Sequence, residues 1–178
     1  MLRHVINPVL ELRLLQPEDA GKLLAVVDAN RPYLRQWLPW VDGLVGLTEA
    51  TAFIGRMRRE HSATQAFNCG IYAAGELVGA IGHNHIDWKR SVANPGWWLV
   101  PAAQGQGIMT QCCQVVITHA FAQLRVQRLV VGVATENARG LALVQRLGFQ
   151  RVGTKRRAEW LCGRRVDHEV YERRAPAG

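Results

Sequence analysis

The hydrophobic period of this chain changes at about Ala66, and that change constrains the fold more than any other feature. In the fifty residues before it, apolar residues recur at the spacing of a helix face; in the thirty-five or so after it, they recur at the spacing of strands. Leu23, Leu24 and Val27 mark one helix from Pro17 to about Asn30, opened by Pro17-Glu18-Asp19 and broken at Arg31-Pro32. Tyr33 to Trp40 reads as a short helix ended by Pro39. Thr48 begins a third helix, with Phe53, Ile54 and Met57 as its apolar stripe. Leu10, Leu12 and Leu14, alternating with Glu11 and Arg13, form the first strand ahead of these helices.

Past Ala66, residues 67–74 and 77–86 read as a hairpin joined at Gly75-Glu76. A strand over residues 91–100 is interrupted by Asn94-Pro95-Gly96, the signal of a bend or bulge. A helix from about Gly107 to Leu124 follows. Leu129 to Ala134 is then a continuous apolar run, typical of a strand buried on both faces. A helix from Ala138 to Leu147 stops at Gly148, and strands over 149–161 and 165–173 turn at Cys162-Gly163. The 178 residues hold no repeat and no long linker, so the expectation is one domain spanning 1–178, of mixed α+β (α/β) class.

A chain of this length folds without a disulfide or metal staple. No run approaches the ~18 apolar residues of a membrane span, and the first residues lack the apolar stretch of a signal peptide. The expected compartment is the cytoplasm, away from membranes. The 22 Lys and Arg outnumber 14 Asp and Glu, giving a net charge of +8, and only three of the 22 are Lys. Arginine forks onto phosphate and carboxylate, which suits an anionic ligand; coding bias toward Arg, Ala and Gly accounts for the excess equally well. Cys69, Cys112, Cys113 and Cys162 show no Cys-x-x-Cys spacing, and the adjacent Cys112 and Cys113 read as packing residues. His83 and His85 share one face of an unbroken strand, yet two histidines with no third ligand make no metal site, and no metal is expected.

The segment Val100-Pro101-Ala102-Ala103-Gln104-Gly105-Gln106-Gly107-Ile108-Met109-Thr110 follows a strand and opens a helix. Glycines there let backbone N–H groups approach a ligand, and a helix N-terminus carries partial positive charge, so the segment suits a pyrophosphate. It lacks the Gly-Lys-Ser/Thr of a P-loop and the third glycine of a dinucleotide fingerprint. Taken alone, it is also compatible with a tight turn.

In context it is more specific. The order of elements resembles the GNAT superfamily of acetyl-CoA-dependent N-acetyltransferases, whose loop reads Gln/Arg-x-x-Gly-x-Gly/Ala. Gln104 and Gly107 match it and Met109 departs from it. Trp98-Leu99, Asn137 and Leu147-Gly148-Phe149 extend the likeness over residues 9–173. Gly-Ile-Met-Thr, Trp37-Leu38-Pro39-Trp40 and Glu159…Gly163…Asp167-His168…Tyr171 resemble the branch that acetylates the N-terminal alanine or serine of ribosomal proteins. The resemblance implies a mixed, mostly antiparallel sheet of seven strands, flanked by helices and splayed between strands four and five. It implies acetyl-CoA as co-substrate, with main-chain groups of Trp98, Leu99 and Val100 toward the pantetheine and thioester. Gln104 belongs to the same loop, and Gly105, Gln106, Gly107, Ile108, Met109 and Thr110 would hold the pyrophosphate. Asn137 would hydrogen-bond the pantetheine arm, fix the splayed strands or cap a helix, and Arg139 would reach a cofactor phosphate.

Many relatives carry Ser three residues after that asparagine or Tyr seven after it; here the positions hold Gly140 and Val144, so no general acid is evident. A thiol of pKa about 8.5 leaves as a thiolate without one, and an α-amine, at about 7.7–8.0, asks less of a base than a lysine near 10.4. Glu159 is the candidate base, its alternative being a solvated strand charge. A two-residue turn at Cys162-Gly163 pairs Glu159 with Val166 and sets His168 on its face, whereas a three-residue loop opposes Glu159 and Asp167. Trp37, Trp40, His85, Trp160 and Asp167 are candidates for the acceptor pocket, although core packing is the commoner fate of tryptophan. The acceptor implied is a protein N-terminus, with a polyamine, amino acid or antibiotic amine as the alternative. A basic ribosome- or RNA-binding module with a degenerate cofactor site is the reading from another class. Ribosome association would use the remaining positive charge, and an exposed sheet edge or the early tryptophans would serve a homodimer.

Overall fold

Eight strands rather than seven form the sheet of the computed structural model, which describes residues 3–176. They are β1 (Arg3–Asn7), β2 (Leu10–Arg13), β3 (Phe67–Ala73), β4 (Glu76–Asp87), β5 (Val92–Leu99), β6 (Arg128–Ala134), β7 (Gln150–Leu161) and β8 (Arg164–Arg174). The helices are α1 (Ala20–Leu34), α2 (Leu47–Ser62), α3 (Ile108–Ala122) and α4 (Ala138–Arg146). The order across the sheet is β1-β2-β3-β4-β5-β6-β8-β7, and β5–β6 is the one parallel pair among the described residues. The added strand, β1, is a largely exposed edge whose Arg3-His4-Val5-Ile6-Asn7 shows no clean apolar alternation, so its pairing with β2 left no periodic signal. The sheet therefore begins before residue 9 and runs to Arg174.

Two prolines act differently from the sequence expectation. Pro32 lies inside α1, which continues to Leu34. It sits in the last turn, where Leu34 is buried and the Arg31 guanidinium donates to the Val41 carbonyl and, at 2.6 Å, to the Leu44 carbonyl. Those anchors outweigh one missing backbone bond. Pro39 starts a 3₁₀ turn, Pro39–Gly43, instead of ending a helix, because its fixed φ suits a first helical position.

Helices α1 and α2 cover one face of the sheet through Leu15, Leu23, Val27, Ile54, Tyr72 and Leu77. Helices α3 and α4 cover the other, where Leu12, Ile71, Ile81, Val116, Leu129 and Val144 are buried. Cys69, Cys112 and Cys113 belong to this second core, and burial pushes the Cys112 thiol up to about 12, which leaves it a packing group. The β3–β4 turn is Ala74-Gly75, one residue earlier than expected, with both φ values positive.

Strand β5 is irregular on both sides. Against β4, His83 pairs with Pro95 and His85 with Asn94, so Asn84 is an extra, bulged residue. The bulge lies on the partner of the Asn94-Pro95-Gly96 strand, and it separates the two histidines: His83 is fully buried and His85 exposed. Against β6, β5 pairs only through Val92 and Ala93, then diverges. This is the expected splay between the fourth and fifth of seven strands, now the fifth and sixth of eight.

Candidate active site

The diverging strands β5 and β6 open a gap through the sheet, and a cavity lies on either side of it. The larger, about 870 Å³, is lined by Leu99, Gln104, Gly105, Gly107, Arg139 and Arg146. The other, about 570 Å³, lies against Trp40, Asn84, Trp98, Glu159, Leu161 and His168. Trp37, Trp97, Trp98, Asn137 and Gly140 border both, so the two spaces meet at the gap.

On the first side, Gly105 and Gly107 take positive φ (76° and 74°), which turns the chain sharply into α3. The first intrahelical donor is Gln111, to the Gly107 carbonyl at 3.1 Å, so the N–H groups ahead of it face outward at the positive end of the helix. Gln104 fixes the loop, donating to the Tyr33 hydroxyl at 2.8 Å and the Leu99 carbonyl at 2.9 Å while accepting from Arg139. Arg146 donates to the Thr110 hydroxyl at 3.2 Å. Arg139 and Arg146, seven residues apart on α4, thus put two cations beside free backbone donors, a lining that fits a pyrophosphate-bearing ligand.

The strand edge beside this loop is equally specific. Val100 donates to the Val78 carbonyl at 2.9 Å, and by antiparallel alternation Trp98 also turns its main chain to β4. Trp97 and Leu99 therefore turn their N–H groups into the gap. On the other side, the Cys162-Gly163 turn has two residues, with φ of 47° and 78°, and Glu159 pairs with Val166. Two extra residues between Lys155 and Glu159 form a bulge with Arg157 at φ 50°, held by its N–H donating to the Asp167 carboxylate at 2.7 Å. The result turns Glu159 into the cavity, its Oε2 3.3 Å from Nε2 of His168. That nitrogen is buried and has no aligned hydrogen-bond partner, and Gly132 makes room for the ring, since a Cβ there would meet its Nδ1 at 2.8 Å.

Residues 10–150 match the acetyltransferase (GNAT) domain family. The chain belongs to that family. It is 26% identical over 168 residues to the ribosomal-protein-serine acetyltransferase of Escherichia coli (strain K12), covering 94% of each chain. It superposes with a TM-score of 0.93 on RimL, the ribosomal L7/L12 α-N-protein acetyltransferase, in complex with coenzyme A, at 28% identity over 98% of both chains. A Salmonella typhimurium acetyltransferase that modifies the N-terminal serine of ribosomal protein L7/L12 gives 0.86 at 26% identity, over 97% of this chain and 98% of that one. As a GNAT N-acetyltransferase the chain uses acetyl-CoA as co-substrate.

Within this GNAT site, Trp98, Leu99, Gln104, Gly105, Gly107, Ile108, Met109, Thr110, Asn137 and Arg139 all border the α3 cavity. Val100 and Gln106 do not: the Val100 N–H is taken by β4, and the Gln106 amide turns back to donate to the Ala102 carbonyl at 3.0 Å. Asn137 caps α4, accepting from the Gly140 N–H at 2.9 Å, and it is Asn94 whose side chain bridges the splay, donating to the Val130 carbonyl at 3.0 Å. Trp37, Trp40 and Glu159 border the second cavity, with Trp40 tilted against Phe53 and Trp98 at 4.9 and 6.1 Å between ring centroids. His85, Trp160 and Asp167 are absent from its lining. The bulge moves His85 aside, Trp160 is 58% exposed under Arg165, and Asp167 holds the Arg157 bulge. Sequence reasoning missed Arg146, Trp97 and Asn84 as lining residues, and named His168 only as sharing the face of Glu159 under the two-residue turn. The seven-residue spacing from Arg139 was the signal available for Arg146.

Among the described residues no three His, Cys, Asp or Glu side chains gather as a metal set, and no helix is long and apolar enough to cross a membrane.

Proposed function

We propose that this enzyme transfers acetyl from acetyl-CoA to the N-terminal α-amine of a protein, with a ribosomal protein as its acceptor. The observation that carries the reading is the meeting of the two cavities at the β5–β6 gap: free N–H donors and arginines on one side, the Glu159–His168 pair on the other. When bound, acetyl-CoA supplies the thioester carbonyl. The outward N–H groups up to Thr110, with Arg139 and Arg146, hold its phosphates, and the N–H groups of Trp97 and Leu99 face the carbonyl oxygen as negative charge develops there. Glu159, directly or through a water, takes the proton of the acceptor ammonium so that the neutral amine attacks. His168 positions that carboxylate. The C–N bond forms as the C–S bond breaks, CoA departs as a thiolate, and the proton the nitrogen still carries after attack passes to that thiolate or to solvent, so no protein acid is needed at positions 140 or 144.

The lining also bears on the acceptor. The second cavity carries two carboxylates, Glu60 and Glu159, offset by Arg56, which favours a single amine over a polycation. The named activities of the relatives support the ribosomal reading. Incubation with acetyl-CoA, peptides with free N-termini and small amines, followed by intact mass, tests it. Acetylated peptide N-termini are expected; modification of polyamines or amino acids alone rejects the acceptor assigned here.

A further inference from the structure

Asn84 follows Ala80 and Gly82 on the face of β4 that meets Trp98 and Gly96, and the bulge lets Asn84 and His85 together oppose Asn94. Its amide lies directly over Gly96: a Cβ at that position would meet Asn84 Nδ2 at 2.3 Å and its other two amide atoms at 2.8 Å. Only glycine at 96 allows this seat. Asn68 on β3 borders the same cavity, opposite Gly82, which pairs in turn with Gly96. Asn94 is tied to Val130, whereas the Asn84 and Asn68 amides make no hydrogen bond within the described residues. The floor of the acceptor cavity therefore presents two unused amides.

An amide offers a donor and an acceptor a short distance apart, the same pair that a peptide group offers. It has no charge to select an ammonium or a carboxylate. The walls above are aromatic, from Trp40, Phe53 and Trp98, and such walls exclude water and strengthen a neutral hydrogen bond. We propose that Asn84, seated on Gly96, is a specificity residue that hydrogen-bonds the main chain of an acceptor polypeptide beyond its first residue. This rests on the acceptor reading given above and narrows it: the enzyme selects for a peptide group following the amine, not for the amine alone.

The test uses the full chain with acetyl-CoA and two acceptors, a tetrapeptide with a free N-terminus and the amide of its first residue. Asn84→Ala and Gly96→Ala, the second displacing the amide without removing it, are compared with wild type after thermal melts confirm folding. Both variants should raise the KM of the tetrapeptide about tenfold, the size of one or two lost neutral hydrogen bonds. The kcat, the KM for acetyl-CoA and the kcat/KM of the single-residue amide should stay within twofold. Calorimetric titration of the tetrapeptide into protein with CoA should show the same tenfold weakening. Equal losses on both acceptors, or no loss on the tetrapeptide, overturn the role of Asn84. Tetrapeptide binding that is unaffected by either variant overturns it as well. Absence of peptide acetylation by wild type instead rejects the acceptor reading, while calorimetry still decides whether Asn84 holds a peptide.

Discussion

Replacing His83 by Leu should flatten the loss of stability that this protein suffers in mild acid. His83 ends the regular part of β4, fully buried, with neither ring nitrogen hydrogen-bonded. The Val116 carbonyl on α3 faces it without reaching hydrogen-bond geometry. Phe67 packs against it with ring centroids 6.3 Å apart, and Phe67 stacks in turn on His119 at 5.1 Å. Burial first, and then the neighbouring His119, hold the His83 pKa down at about 4 from 6.5. The folded protein thus keeps this imidazole neutral where the unfolded chain protonates it. Its stability is fully present above pH 6.5 and is lost as the pH falls from 6.5 toward 4. The gap corresponds to ~3.4 kcal/mol once the loss is complete, and to about 2 kcal/mol at pH 5.

Urea unfolding of wild type and His83→Leu at pH 7.5, 6 and 5 measures it. Wild type should lose about 2 kcal/mol more than the variant between the first and last of these. His61 and His119, also pushed down by burial, remain in both proteins and drop out of the difference. At pH 7.5 the variant should be no less stable, since Leu removes two unpaired buried polar atoms. Parallel curves would refute the reasoning, because they would mean that the imidazole gains a proton or a partner in the folded state.

Glu159→Gln should lower kcat at least 100-fold with acetyl-CoA binding unchanged, and should alter the pH–rate profile; an unaltered profile eliminates Glu159 as the base. Gly107→Ala meets no side-chain obstacle, since its Cβ would lie 3.9 Å from the Gln111 amide, but it forces alanine to φ 74°. That conformation costs ~1–2 kcal/mol, read as a lower melting temperature and weaker CoA binding by calorimetry. Arg146→Ala should weaken CoA binding at low salt, with a difference from wild type that shrinks as ionic strength rises; a salt-independent difference would point to packing.

Regular elements were legible because period and apolar content report burial directly. The 129–134 run is β6, and the apolar spacing past Gly107 is the inner face of α3. The Gly-rich loop was legible because its chemistry is local: the two glycines and the helix start need no distant partner. Pairing was harder to read. Edge strand β1 is largely exposed, with Ile6 partly buried against the core, and left no pattern. The register of the β7–β8 hairpin was an open choice because Cys162 at positive φ is uncommon, and that choice decided whether Glu159 meets His168 or Asp167. Alternation over 81–86 reads as an unbroken strand: it sets Asn84 on the face opposite His83, as found, but keeps His85 on the His83 face, from which the bulge removes it. The bulge is a property of two strands at once.

The three residues Asn94-Pro95-Gly96 account for both irregularities of β5. By the alternation that points Trp97 and Leu99 away from β4, Pro95 would direct its N–H toward β6, and proline has none. The ladder to β6 stops just before it, after Ala93, and the Asn94 side chain, donating to Val130, is the last tie between the strands. Beyond that tie β5 is an edge strand inside a sheet, with free N–H groups facing the gap. On its other side Pro95 faces His83, and Gly96 leaves the space over which Asn84 folds. A single Asn-Pro-Gly step thus opens the passage between the cavities and clears the floor of one of them. Restoring a donor at 95 alone would not close the sheet, because Asn94 already occupies the Val130 carbonyl. The residue before the proline commits the strands to part, and the proline keeps them apart.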